Sequence, residues 1–182
     1  KNIVYFIITM LLEYIINELK EYIFFAPKDI NELKEAVDLY CENKKEGIKK
    51  YGLISYWDVS NVTTMSKLFK DKNFFNEDIS LWNVSNVTTM DSMFSGCYNF
   101  NQPLENWDVS NVEDMDCMFH CCFNFNQNLN NWNVSKVNSM YEIFDYCYNF
   151  NQSLNKWDVS NVQNMSDIWY NYLKSDGESI FS

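Results

Sequence analysis

From residue 54 onward, apolar and polar positions recur in one order every 25 residues. Trp57, Trp82, Trp107, Trp132 and Trp157 mark the period, each followed by a polar residue and then by Val59, Val84, Val109, Val134 or Val159. This alternation predicts a short strand with Trp and Val inward and the middle residue outward. Further along each copy, apolar residues fall at spacings of three and four, as with Met115, Met118, Phe119 and Cys122 in EDMDCMFHCC (113–122). That spacing predicts the inner face of a short helix. A 25-residue unit has too few apolar groups to form its own core, so neighbouring copies must bury each other's. The pattern predicts an α/β repeat solenoid, one short parallel strand and one short helix per coil, with strands about 4.8 Å apart.

Ahead of the repeats, Pro27 and Asp29 open a predicted helix whose Ile30, Leu33, Val37 and Tyr40 share a face, and Gly52 ends the next helical stretch. The expected organisation is an N-terminal helical cap over 1–53, about five coils over 54–173 and a tail over 174–182. The cap would cover the first coil's open edge. The apolar run IVYFIITMLL (3–12) is about half the ~20 residues that span a bilayer, and Glu13 interrupts it. It reads as an amphipathic helix, with a signal remnant as the rival reading.

The full phrase adds Ser60, Ser85, Ser110, Ser135 and Ser160, the Met column from Met65 to Met165, and Cys97, Cys122 and Cys147 in one column. It resembles the BspA-like leucine-rich-repeat proteins, and within them the mycoplasma-type domain of unknown function. Copies in that group read W-D-V-S-N-V-T-x-M-x-x-M-F-x-x-C-x-x-F-N-Q-x-L. The likeness covers residues 57 to about 170, with 34–60 similar to that group's lead-in. It implies leucine-rich-repeat-like coils, with surface display and protein binding as the function. Lys72 and Tyr172 replace the column cysteine in the first and last copies, as terminal coils should differ.

Charge narrows the partners. With 25 acidic and 14 basic residues the formal charge is −11, which repels nucleic acid and anionic lipid. A protein partner is expected, with membrane attachment only through an N-terminal signal or anchor. No cofactor is expected, and with one His and no phosphate loop or nucleophile elbow an enzyme is not expected either. The reading is a protein-binding repeat module, displayed on a cell surface or associated with a particle. Its alternative is an architectural subunit of a virion or other large assembly, docked by its N-terminal helix.

Three candidate sites stand out. Cys117, His120, Cys121 and Cys122, with Asp116, suggest zinc, but Cys122 belongs to the packing column and one copy offers no second ligand pair. No metal is assigned, and the cysteine column reads as buried thiols rather than disulfides. The outward column Asp58, Asn83, Asp108, Asn133 and Asp158 reads as an amide-to-carboxylate ladder that could face a partner. Finally, the positions that vary between copies gather Tyr141, Tyr146 and Tyr170 toward the C-terminal end, where amphipathic rings make contact anchors.

Overall fold

Asp29 stands just before the first helix, and its carboxylate accepts from the N–H groups of Asn31 and Glu32 at 2.9 and 3.0 Å. This cap satisfies donors that the first turn leaves open. In the computed structural model, which describes Met10 and residues 25–164, helix α1 runs Ile30–Glu42 and α2 runs Lys44–Tyr51. Asn43 joins them and Gly52 closes α2 at φ 73°. Gly47 lets the helices approach closely, because a Cβ there would lie 2.6 Å from Tyr40 Cα. Leu33, Ala36, Val37 and Tyr40 are buried, in agreement with the predicted face.

The lead-in packs on the first copy through aromatic rings. Phe25, Tyr40, Tyr51 and Trp82 surround the Trp57 indole at centroid distances of 4.5–6.3 Å among the five rings. Lys72, which stands where later copies have cysteine, instead pairs with Asp38 of α1 at 2.7 Å. Apart from Met10, the amphipathic helix expected over the N-terminal apolar run lies outside the described residues, as do Trp169, Tyr170 and the tail, so the helix's docking role falls outside them too. Among the described residues, no helix is long and apolar enough to cross a membrane.

The α/β repeat solenoid predicted from the sequence is not what forms. Among the described residues there are two α-helices and one 3₁₀ turn (Ile54–Tyr56), all ahead of Trp57, and no strand. The leucine-rich-repeat reading of each coil falls with it. Successive copies, here numbered one to four from Trp57, Trp82, Trp107 and Trp132, meet at single parallel bridging pairs: Thr64 with Thr89, Thr89 with Asp114, Asp114 with Ser139.

Two local causes account for this. In the Trp-Asx-Val-Ser segment, Asp58 Oδ1 accepts the Ser60 N–H at 3.1 Å and Val59 O accepts the Val62 N–H at 2.9 Å. These turns take backbone groups that a strand ladder would need. In the predicted helix, alternate N–H groups leave the copy: those of Met65, Lys67, Phe69 and Asp71 reach Thr89, Asp91, Met93 and Ser95 carbonyls at 2.8–3.0 Å. The residues between them bond three positions back, as Leu68 does to Met65 and Lys72 to Phe69. Lys67 and Asp71 adopt φ of 60° and 62°, which no α-helix admits. The left-handed conformation costs about 1–2 kcal/mol per non-glycine residue. The inter-copy bonds and the buried columns offset it.

Those columns form the core. Phe69, Phe94, Phe119 and Phe144 stack at 5.4–5.6 Å between copies. Within each copy the partner ring, Phe75, Phe100, Phe125 or Phe150, lies 4.1–4.3 Å away. Each later Trp indole donates to a carbonyl 28 residues earlier: Trp82 to Ile54, Trp107 to Ile79, Trp132 to Leu104, Trp157 to Leu129, at 2.8–3.2 Å. Among the described residues Trp57 Nε1 has no acceptor, since no copy precedes it.

Candidate binding surface

The Asx column is exposed, as its place between Trp and Val predicts, but its bonding differs from expectation. Asp58, Asp108 and Asp158 accept from Ser60, Ser110 and Ser160 N–H at 3.0–3.1 Å. Asn83 and Asn133 accept from both the N–H and the hydroxyl of Ser85 and Ser135, at 3.2 and 2.8 Å. Each side chain therefore closes a turn in its own copy and does not reach along the column. The serine bonds hold the Asp58, Asp108 and Asp158 carboxyls below the usual carboxylate range.

A true inter-copy ladder lies on another column. Asn101, Asn126 and Asn151 N–H groups donate to Asn76, Asn101 and Asn126 Oδ1 at 2.9–3.0 Å. Gln102, Gln127 and Gln152 amides donate to the same oxygens at 2.8–3.0 Å. The repeated N-Q pair thus fixes the register between copies.

Of the predicted tyrosines, Tyr141 is half-buried and its N–H donates to Asp116 Oδ1 at 2.7 Å. Tyr146 is 37% exposed and meets Tyr148 edge-on at 6.1 Å. Tyr148 belongs to a column that the sequence reading passed over: Tyr98, Phe123 and Tyr148 stack across three copies at 4.6 and 5.3 Å. Tyr98 and Tyr148 remain 40% and 52% exposed. In the first copy Phe74, 88% exposed, stands one position away from this column. Beside it, Asn124 and Asn149 amides donate to Asn99 and Asn124 Oδ1 at 3.4 and 3.3 Å. The stack follows the buried cysteines directly. An aromatic after Cys97, Cys122 and Cys147 was the available signal.

The three column thiols are free and buried, donating to Phe69, Phe94 and Phe119 carbonyls at 2.9–3.1 Å. Burial raises all three well above the ordinary thiol range, so they stay protonated. A cleft of about 280 Å³ opens where α1 meets copy one, lined by Tyr40, Cys41, Lys44, Lys72, Phe74 and Glu77. Burial pushes the Cys41 thiol up to about 11. Lys44 and Lys72 are held by Glu77 and Asp38, each at 2.7 Å. The cleft therefore presents ion pairs and a neutral thiol.

No curated protein and no solved structure matches the chain. A family model described as Mycoplasma protein of unknown function, DUF285, matches residues 39–141 and 104–178. These matches span the end of α1, all of α2 and the whole repeat array, and the chain belongs to the DUF285 family.

Proposed function

We propose that this protein is a non-enzymatic module for protein–protein interaction, and that its contact surface is the ring stack Tyr98–Phe123–Tyr148 with Tyr146 beside it. The supporting observation is that stack: three rings from three copies, aligned and still open to solvent. Tyrosine concentrates binding energy because it brings a large rigid area and a hydroxyl at low cost in side-chain entropy. The Asn99–Asn124–Asn149 ladder supplies a polar rim at the same spacing. The formal charge of −11 favours a basic or neutral partner over an acidic one.

The exposed Asx column is a secondary candidate, because its side-chain acceptors are already engaged by serine. A finer placement within the BspA-like group rests on the repeat phrase alone, and the strand-free copies weigh against its leucine-rich-repeat part. The test is affinity capture from an extract of the source cells with the intact chain beside a Tyr98→Ser/Tyr148→Ser double variant. The expected result is a set of proteins held by the first and lost by the second, with unchanged circular dichroism. Retention of the same set by the folded variant would place recognition elsewhere.

A further inference from the structure

The turn segments that replace the predicted helices bring unlike copies together on their outer side. One column there reads Lys67, Ser92, Cys117, Glu142, and another reads Lys70, Ser95, His120, Asp145. Reading copy three alone finds one imidazole and two outward thiols. Copy four adds two carboxylates at the same place.

His120 Nε2 lies 3.5 Å from Asp145 Oδ2. A donor atom from each of His120, Glu142 and Asp145 falls within 4.8 Å of the others. Four donors around a tetrahedral zinc ion, each at about 2.0–2.3 Å, stand roughly 3.3 Å or more apart. Metal binding requires side-chain rotations that draw the His120, Glu142 and Asp145 donors together, and a larger one for Cys121, which lies outside the 4.8 Å group. Cys121 Sγ lies 3.7 Å from His120 Nε2, and the Cys117 thiol reaches Glu142 Oε2 at 3.8 Å.

Backbone bonds hold these donors in register. Cys117 N–H donates to Tyr141 O at 2.7 Å and Cys121 N–H to Asp145 O at 2.8 Å. Cys117, Cys121 and Glu142 take the left-handed conformation, with φ of 53°, 59° and 52°. Asp145 is only 5% exposed, whereas His120 is half-buried, so the cluster has an inner wall and an outer mouth.

We infer that His120, Glu142 and Asp145 bind a divalent transition metal ion of the zinc class, with Cys121 as the fourth donor, clamping copy three to copy four. An imidazole and a thiol beside two carboxylates favour zinc or cobalt over calcium or magnesium, which take oxygen donors. The ion neutralises two carboxylates in a strongly acidic chain. It also joins residues 22 and 25 positions apart, the separation that hid the set from a search for local ligand spacing. Tyr146 packs edge-on against the His120 ring at 5.6 Å and orients it.

The test uses the intact chain, stripped with chelator and titrated with Co²⁺ as an optical probe, then with Zn²⁺ in competition. The expected result is one equivalent of Co²⁺ with the intense visible bands of a tetrahedral site, displaced by Zn²⁺. A near-ultraviolet sulfur-to-cobalt band should also appear and vanish in Cys121→Ser. His120→Ser, a residue that copy two already carries in this column as Ser95, should weaken binding at least roughly tenfold, as should Glu142→Gln. Both should keep the circular dichroism of the metal-free parent, and if one fails to fold the other decides. Absence of stoichiometric binding, or affinity unchanged in the folded variants, overturns the site and leaves an ordinary His–Asp pair. A sulfur band that survives Cys121→Ser overturns the assignment of the fourth donor.

Discussion

In the lead-in, Asn43 N–H returns to Leu39 O and Gly52 N–H to Ile48 O, both at 2.8 Å, so each helix closes its own hydrogen bonds. In the repeats, Phe94 N–H crosses to Met118 O and Phe119 N–H to Ile143 O, both at 2.9 Å. The two regions have similar apolar spacing and different backbone partners. Helices α1 and α2 keep their backbone bonds within themselves, whereas a copy has half of its turn segment's donors unmet until a neighbour arrives. Stability in the repeats is therefore shared between copies, and damage to a central copy should reach both sides of it.

The largest expected effect tests that sharing. Phe119 is fully buried and stacks on Phe94, Phe125 and Phe144 at 4.2–5.6 Å, so one ring serves three copies. Phe119→Ala should lower stability by about 3–5 kcal/mol. Urea unfolding followed by tryptophan fluorescence measures it. A loss below about 1 kcal/mol, at the small end of single-substitution effects, would mean that copies stand independently and would break the comparison.

A second experiment sharpens it at the junction. Trp132 donates to Leu104 O at 2.9 Å inside the array, while the Trp57 indole has no acceptor among the described residues and packs against the Phe25 and Tyr40 rings. Trp→Phe removes a similar area at either site. At 132 it also removes one of the two bonds that Leu104 O accepts, the other coming from the Trp107 N–H at 3.1 Å, and this loss costs about 0.5–1.5 kcal/mol. Trp132→Phe should therefore be more destabilising than Trp57→Phe by about that amount in paired denaturation curves. Equal losses would show that the ladder of indole bonds contributes nothing beyond packing.

The lead-in helices and the core columns were legible because their signals are local or periodic. Asp29 two positions after Pro27 marks a cap, and Met115, Met118, Phe119 and Cys122 are all buried as their spacing predicts. The conformation was not legible, because turns that bond three residues back give the same spacing as a helix. What decides between them is the destination of alternate N–H groups, a neighbour 24 residues away. The Asx column shows the reverse error: its alternation of Asp and Asn suggested a contact along the column. The Asx-x-Ser spacing was the stronger signal, since Asx side chains commonly accept from the N–H two residues on. Candidate contact residues were half legible. Tyr146 lies by the exposed stack, but Tyr98, Phe123 and Tyr148 were hidden beside the cysteines. The metal cluster needed copies three and four side by side.

The smallest expected effect contrasts two carboxylates in one copy. Serine bonds lower the Asp108 pKa, so its stabilisation is complete above the unfolded carboxylate range near ~3.9 and is lost as pH falls through the folded value. Asp114 has the opposite sign. Burial raises its pKa, with Asp116 and Asp91 adding to the rise, so the folded state is penalised at neutral pH and relieved as pH falls through that raised value. Asp108→Asn should be nearly neutral at pH ~7, because Asn83 and Asn133 close the same turn in adjacent copies, and it should reduce acid sensitivity. Asp114→Asn keeps an acceptor for the Asp116 N–H and should stabilise by about 0–1 kcal/mol after solvent screening. Melting temperatures of both variants between pH ~7 and ~3 check the signs, and a loss of stability in Asp114→Asn at neutral pH would show that its carboxylate has a partner stronger than the burial it suffers.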